Sequence, residues 1–517
     1  MKKIIYTQEW IAMHPYTKID DVDIYYTNLA NKIYHALDES CFLHQFGDIQ
    51  DAKYLALCIA GYFEDILSGT CIWKTFTEEC MDRYGTYLPF YLKGTIVEKG
   101  IVHENDGTCP EYDPDEINIS DIKFLLWHHY QQSVYGREII PPLFSTVEVA
   151  AKMVYDVLDA EYETAPENER LYEFLCTQPI GENDFYAFRN VMEWFHYGCY
   201  FNVGNRKRFV MAMQWLANTG NYNGITAYGV KIEQMMESRD NLLALTSAEW
   251  LAKISAHHAD RKLWTETEYR NNRAFTIERE DDDFYYAKDL YAKDTLKVNK
   301  KSAANEDFAP LIDGDKVVFT NMVRFGDAWW QNGTMRVADN DKTTKKLVSE
   351  ERDRLNHKQQ LKDYKLLKDS GYGARFIFAD TIGQAKEFVE SIGYKRLDEV
   401  KFPPKCERGV IVYGSPYTGI SIAINIAPCI KCDINPYYDA ERAEAQCFDI
   451  ICGRGNAFPY EIVCQLIAGG MLPDANMFTS KYTKEIGKRI TQENLQFLAD
   501  YYLKGRMDKD LSPVELW

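Results

Sequence analysis

Cysteines are the residues whose spacing in this sequence comes nearest to a recognisable chemical site. Six of the 13 cysteines lie within residues 406–464. The pair Cys429-x-x-Cys432 has the spacing with which two thiolates bind one zinc ion, and Cys447 and Cys452 could complete four ligands. Four residues separate Cys447 from Cys452, however, where zinc-binding pairs have two. We therefore expect buried structural thiols and no metal or other cofactor, with a metal site or a redox pair as alternatives.

Two histidine patterns could also carry chemistry. Glu193-x-x-His196 on a helix is half of a di-iron ligand set, but a second such pair is not found in the sequence. His129, in the pair His128-His129, shares an apolar helix face with Ile122, so we expect a core histidine rather than a general base. The sequence also has neither a phosphate-binding loop nor a His-Glu-x-x-His zinc motif.

A basic cluster and a tryptophan pair are the candidate binding residues. Arg206, Lys207 and Arg208 could bind a phosphate at a helix start, although a solvated helix terminus explains them equally well and is the favoured interpretation. Trp329 and Trp330 lie in a predicted strand and must point to opposite faces. A small barrel can bury only one indole. The other indole is either an exposed anchor for a partner or covered by a neighbouring domain, and we expect it to be covered.

The charge balance limits the classes of partner. The chain carries 59 basic and 78 acidic residues, a net charge of −19 over 517 residues. Nucleic acids and anionic membranes both attract Lys and Arg, so neither is the expected partner, although a local basic patch could still bind a nucleic acid. The first residues lack the apolar stretch of a signal peptide, which predicts a cytoplasmic protein with reduced cysteines.

Length and pattern predict an α+β multidomain protein, since one core rarely exceeds about 300 residues. We expect a large all-helical N-terminal domain over 1–260 and a small antiparallel β-barrel-like domain over 273–338. A charged helix or linker over 339–369 and a mixed α/β domain over 370–517 complete the predicted organisation.

Local signals place several elements within this organisation. Ser145 with Glu148, and Thr246 with Glu249, have capping-box spacing and predict helix starts. Residues 49–67 are apolar nearly all round and predict a central buried helix. Two runs joined by a Gly-Asp turn, Lys316–Phe325 and Trp329–Val337, predict an antiparallel hairpin. We expect one face to be covered by the barrel core and the other by the helical or the α/β domain. The run from Ile420 to Ile426 alternates apolar and polar residues, which predicts a half-buried strand.

Several strings together resemble a family of uncharacterised bacterial proteins, a domain of unknown function known chiefly from gut anaerobes. They are Trp10 with His14-Pro15-Tyr16, Leu29-Ala30-Asn31-Lys32-Ile33-Tyr34, Ile122-Lys123-Phe124-Leu125-Leu126-Trp127-His128 and Asn435-Pro436-Tyr437-Tyr438-Asp439. The similarity covers the N-terminal half best. It implies a bacterial, cytosolic setting, and it carries no reaction, cofactor or catalytic residue.

Three functions remain open at this level. The first is a non-enzymatic intracellular binding or regulatory protein with a protein partner, because the standard catalytic patterns fail. The second is a hydrolase-like enzyme with an unrecognised site between the helical and C-terminal domains. The third is local nucleic-acid binding through Arg206–Arg208 and the lysines of 342–368. The oligomeric state cannot be read from the sequence.

Overall fold

Helices begin where the sequence supplies caps. Asp20 caps α2 (Asp21–Glu39), its side chain accepting a hydrogen bond from the Asp21 backbone N–H. Thr246 and Glu249 form the predicted capping box before α11 (Ser247–Ile254). Ser145, the other predicted start, is the first residue of α6 (Ser145–Tyr162). Both predicted helix starts are therefore confirmed to within one residue.

The computed structural model describes residues 4–46, 49–91, 95–98, 101–104, 112–133, 140–143, 145–178, 180–181, 184–240, 242–257, 262–303, 311–312, 314–371, 376–395, 409–453, 458–478 and 484–503. The protein is α+β and divides into two compact units. The first comprises Met1–Tyr269, Arg324–Asp327 and Phe478–Phe497, and the second comprises Arg270–Val323, Ala328–Met477 and Leu498–Trp517. The finer division into four segments stays a prediction.

Helices dominate the first unit. Besides the three already given, they are α1 (Thr7–Ile11), α3 (Ile49–Ser68), α4 (Ile72–Tyr84), α5 (Ile119–Ser133), α7 (Glu169–Tyr172) continued by a π-turn over Glu173–Thr177, α8 (Phe185–Tyr197), α9 (Val203–Asn218), α10 (Gly224–Glu237) and α17 (Lys484–Glu493). α3 is buried along almost its whole length from Ala52 to Asp65, which confirms the predicted central helix.

Aromatic rings fill one end of this helical core. Phe497 is 1% exposed, and its ring centroid lies 5.4 Å from that of Phe90 and 5.7 Å from that of Tyr84. The rings of Phe124 and Trp127 on α5 lie 6.1 Å from it. Phe497, late in the chain, thus packs against four rings that lie before residue 130.

The N-terminal region is not all helical, which corrects the sequence prediction. β1 (Thr95–Glu98) and β2 (Ile101–Glu104) pair antiparallel, with Glu98 opposite Ile101. Both segments are short and carry β-branched residues, which fit a pleated strand better than a helix. The region predicted as helical therefore contains one hairpin.

Within the residues that the structure covers, no single helix is long and apolar enough to cross a membrane. α3 and α4 together have the length and the apolar composition of a membrane span, but the chain bends by 90° between them.

A closed five-stranded barrel lies in the second unit. Its strands are β3 (Glu268–Glu280), β4 (Phe284–Asp289), β5 (Thr295–Asn299), β6 (Lys316–Phe325) and β7 (Ala328–Asp339). They close in the order β3-β4-β5-β7-β6. β6 and β7 are neighbours joined by two residues, which confirms the predicted hairpin because only antiparallel strands can be joined so tightly.

The sequence predicted a wholly antiparallel barrel, and this prediction is wrong. β5 and β7 run parallel, with Val298 opposite Trp329. β6 lies between β5 and β7 in the sequence, so the direction of the chain reverses twice between these two paired strands. The first strand, β3, was not predicted: of its 13 residues only Ala274, Phe275 and Ile277 are buried, and charged residues mask the pattern.

Both faces of β6 are covered, but the second cover comes from a helix of the charged segment and not from the helical or the α/β domain as predicted. Val318 and Met322 belong to the barrel core. Val317 and Phe319 pack on the opposite face with Val348. Val348 lies on α12 (Lys342–Leu355), which with α13 (Lys358–Asp369) forms the charged segment expected to be a helix or linker. That segment is two helices, and α12 packs on the barrel.

A three-stranded antiparallel sheet occupies the C-terminal part, in the order β10-β9-β8. Its strands are β8 (Ile377–Ala379), β9 (Val410–Ser415) and β10 (Gly419–Ile424), and the helices are α14 (Ile382–Ser391), α15 (Ala440–Ile451), α16 (Tyr460–Ala468) and α18 (Leu495–Tyr502). The first four residues of β10 are all buried, so the predicted solvent-facing side of this strand is wrong. Ser421 is buried because its hydroxyl hydrogen-bonds the Tyr413 hydroxyl on β9.

Candidate functional site

The three cations at the start of α9 are engaged within the first unit. The Arg206 guanidinium lies 4.4 Å from the centre of the Tyr54 ring on α3. The Lys207 ammonium is 3.0 Å from the Asp51 carboxylate on the same helix. Arg208 donates hydrogen bonds to the Asn205 side chain and the Arg239 carbonyl oxygen. The structure thus places these predicted binding residues as anchors of α9.

The following helix is anchored at its C-terminal half. Ile232, Met235 and Met236 of α10 are buried. The Lys231 carbonyl oxygen accepts a 2.7 Å hydrogen bond from the Tyr197 hydroxyl on α8. The Lys231 ammonium lies 2.5 Å from the Glu193 carboxylate. Charged and buried residues therefore fix the two ends of the α9–α10 hairpin.

The middle of this hairpin carries no charge. The 22 residues 209–230 contain no Asp, Glu, Lys, Arg or His, whereas about six charged residues would be expected in a chain that is 26% charged. α9 ends at Asn218, and Gly220 follows with φ +72°, a left-handed conformation typical of a helix stop. We call the exposed side chains of residues 209–230 the uncharged hairpin surface.

Large apolar side chains are exposed on the uncharged hairpin surface. Ile225 is 71% exposed, Trp215 61% and Tyr222 59%. The other large apolar residues in this set, each less exposed, are Val210, Met211 and Tyr228. Protein interfaces are depleted in charge and enriched in Trp, Tyr and Met at their centres. A patch of this composition on a monomer is typical of a docking surface.

Sequence reasoning missed this surface. In this part of the chain, the sequence indicated only the cations at 206–208 as candidate binding residues. The signal that could have found it is the long run without charge in a strongly charged chain. Exposure itself could not be predicted, because an apolar helix without charge is as typical of a core as of an interface.

A buried polar cluster surrounds a small cavity at the centre of the first unit. His14 Nε2 lies 2.9 Å from Glu64, which also accepts a 2.7 Å hydrogen bond from Asn168. Asp65, next in α3, accepts a 2.6 Å hydrogen bond from Tyr200. The cavity has a volume of about 20 Å³, which is room for one water molecule. These groups are matched to one another and have no space for a substrate.

The histidines singled out by sequence are neutral core residues. Burial lowers the pKa of His128 and of His196 to about 3. His196 Nδ1 lies 2.8 Å from the Ser247 hydroxyl, and Glu193 pairs with Lys231 rather than with the histidine. Within the described part of the chain, no three His, Cys, Asp or Glu side chains are grouped as a metal ion would require.

The C-terminal cysteines with described positions are thiols. The Cys429 thiol donates a 2.7 Å hydrogen bond to the Gln446 side chain. Burial raises the pKa of Cys429 and of Cys447 to about 12, which makes both poor nucleophiles. Cys452 is also buried, whereas Cys432 is partly exposed. Cys406 lies outside the described residues.

Trp329 and Trp330 are both buried, at 9% and 1% exposure. The Trp329 ring belongs to the barrel core and lies 4.5 Å from the Arg270 guanidinium. Of the two outcomes open in the sequence, the structure shows covered indoles rather than an exposed anchor. The tryptophan pair therefore stabilises the barrel and offers no free aromatic face.

A cleft of about 560 Å³ lies beside α11 in the first unit. Its titratable residues include Glu249, which is used in the capping box and paired with Arg239, and Lys253, which lies 2.5 Å from Glu79. Burial raises the pKa of Tyr269 in the same cleft. A general acid or base must be free to exchange a proton with substrate. Glu249 and Lys253 are instead engaged in the capping box and in ion pairs.

Comparison with known proteins gives a family without an activity. No curated protein matches the chain, and no solved structure matches it. A family model described as a protein of unknown function, DUF3843, matches residues 4–295 and 315–504. Because the match covers most of the chain, including the helical unit, the barrel and the C-terminal elements, the protein belongs to the DUF3843 family.

Proposed function

We propose that the protein is a non-enzymatic binding protein that docks a protein partner on the uncharged hairpin surface, and that this partner is a second copy of the same chain. The observation that carries the proposal is the exposure of Trp215, Tyr222 and Ile225 within 22 residues that hold no charge. The arrangement of thiols in the described positions is consistent with a cytoplasmic setting.

The absence of charge favours self-association. In a two-fold symmetric dimer the same patch faces itself, so any charge near the axis meets a like charge. Residues 209–230 avoid this penalty altogether. Elsewhere, a chain with net charge −19 would bring like charges together on contact with its own copy. Two copies can therefore approach each other through the uncharged hairpin surface with the smallest electrostatic repulsion.

The alternatives have less support. Arg206, Lys207 and Arg208 each contact another group of the protein, so they are poorly placed to neutralise phosphates. A hydrolase would need a free nucleophile with a base beside it. The buried histidines and thiols described above do not supply that pair.

The test measures the mass of the full-length chain by analytical ultracentrifugation over a range of concentrations. We expect a dimer of about 120 kDa, twice the 60.1 kDa of one chain. Trp215→Glu and Ile225→Glu should each give a monomer, because each would place a charge inside the interface, where its desolvation is costly. Ile434→Glu is the matched control, since Ile434 is 64% exposed but lies in the second unit.

The wild-type chain should not remain a monomer at about 100 μM, a concentration that corresponds to a binding free energy of roughly 5 kcal/mol. A monomer at that concentration would contradict self-association and leave a different protein as the partner. Equal dissociation by the Ile434 control would contradict the assigned surface.

A further inference from the structure

A second pocket lies in the second unit, between α12 and the barrel. Its volume is about 330 Å³, at the lower end of the range for sites of small molecules. Its apolar side is formed by Leu290, Val317 and Val348. Its polar side is formed by Thr276, Asn340, Thr344, Lys345, Ser349 and Arg352. The lining thus holds two cations and no carboxylate.

Neither cation has a carboxylate within hydrogen-bond range among the described residues. Within the part of the chain that the structure describes, the Lys345 ammonium has no ion-pair partner. Arg352 makes one side-chain hydrogen bond, of 3.2 Å, to the Ser349 hydroxyl. The Asp353 carboxylate is 3.7 Å from Arg352, beyond hydrogen-bond range, and receives hydrogen bonds of 3.1 and 3.0 Å from Lys358. Most of the five N–H donors of the guanidinium therefore remain available.

Two other cations on α12 also lie near carboxylates of the same helix. Lys346 lies 3.7 Å from Glu350, and Arg354 lies 2.7 Å from Glu351. These pairs lie on side chains outside the pocket lining. In a chain of net charge −19, carboxylates are abundant, yet none lines this pocket. The contrast indicates that the two pocket cations face a site that takes a negative charge from elsewhere.

We propose that this pocket binds a small organic anion, with its carboxylate or phosphate group held by Lys345 and Arg352 and its apolar part packed on Leu290, Val317 and Val348. Arg352 can hold two oxygens at once through its planar donors, and Lys345 adds a point charge. The hydroxyls of Ser349 and Thr276 are further donors. The Thr344 backbone N–H is used by Asp341, so side chains rather than helix amides make the recognition.

The test uses isothermal titration calorimetry of the full-length protein with phenyl phosphate, benzoate and inorganic phosphate in low-salt buffer. We expect phenyl phosphate or benzoate to bind more tightly than inorganic phosphate, because each adds an apolar ring to the anion. A preference between the first two identifies the charged group. Lys345→Gln should weaken binding at least about tenfold, the loss of one charge-assisted hydrogen bond, and Arg352→Gln by more.

Lys346→Gln is the matched control, since it removes a neighbouring cation that pairs with Glu350 and should bind like the wild type. Lys345 is exposed, so its replacement should leave the melting temperature unchanged and separate lost binding from lost folding. The proposal would be overturned if none of the three anions binds at about 10 mM, because the binding free energy would then be weaker than roughly 3 kcal/mol. Equal weakening by Lys346→Gln would also overturn it, because general charge would then explain the affinity.

Discussion

The His14 imidazole lies 2.9 Å from the Glu64 carboxylate, with the two side chains 4% and 2% exposed. Burial alone would lower the pKa of His14, but the charge and hydrogen bond of Glu64, with a hydrogen bond to the Trp10 carbonyl oxygen, outweigh it and raise the pKa. The pair is therefore a buried ion pair over the range where the imidazole is protonated. It joins α3 to the segment that follows α1.

His14→Gln should destabilise the protein more at pH 6 than at pH 9. A histidine with a raised folded pKa stabilises fully below its unfolded pKa of about 6.5 and loses that effect as the pH rises through the folded value. We expect a loss of about 3 kcal/mol at pH 6 and less at pH 9, measured by urea unfolding. His44→Gln is the control, because His44 is exposed. An equal loss at both pH values would contradict the assignment.

Asp65→Ala should be among the more destabilising single changes in the first unit. Its carboxylate accepts hydrogen bonds from the hydroxyls of Thr70 and Tyr200 and from the backbone N–H groups of Ile72 and Trp73 at the start of α4. Removing it leaves buried donors and an uncapped helix, and we expect a loss of about 3 kcal/mol or more in urea unfolding. Tyr200→Phe removes one donor and should cost about 1 kcal/mol. Comparable losses for the two variants would refute the capping role.

His196 should not titrate in the native protein between pH 8 and pH 5. Burial, and secondarily the charge of Arg208, lowers its pKa to about 3. The unfolded chain therefore binds a proton below pH of about 6.5 that the folded chain does not, and this residue makes stability fall as the pH falls. NMR of the imidazole carbons should show constant shifts. His196→Gln should lose less stability than the wild type between pH 7 and pH 4.5, and a native midpoint near 6.5 would contradict the burial.

The proposed dimer should become tighter as salt increases. Residues 209–230 contribute no ion pairs to weaken, while salt screens the repulsion between two chains of net charge −19. We expect the dissociation constant to fall between about 50 and 500 mM NaCl, measured by sedimentation. A dissociation constant that rises with salt would indicate an interface held by ion pairs, and therefore a different surface.

The elements that sequence predicted well are those with a distinct local signal. Thr246 with Glu249 defines a capping box, and the Gly326-Asp327 turn defines a hairpin. The strands that were missed lack such signals. β9 is buried at all six positions and so shows no alternation, whereas only three of the 13 residues of β3 are buried. Their pairing partners, rather than their own residues, make them strands.

The candidate sites were harder to predict than the fold, because a binding site depends on which side chains the rest of the protein leaves exposed to solvent. Trp329 and Trp215 are both tryptophans beside apolar neighbours, yet one is 9% exposed and the other 61%. Lys345 and Lys346 are adjacent in one charged helix, and only the first lines a pocket. Neither difference is encoded in residue type or local spacing. Both arise from the tertiary packing around each side chain.

Phe497 also determines when the helical unit can be completed during translation. The ring fills a space among Phe90, Phe124 and Trp127, yet it is synthesised about 230 residues after the main segment of the unit ends at Tyr269. At roughly 5–20 residues per second, that delay is about 10–45 s. Throughout it, the nascent chain on the ribosome exposes an aromatic socket of the kind that chaperones bind. A premature stop before residue 497 would leave that socket open permanently, so truncated products should be recognised as unfinished.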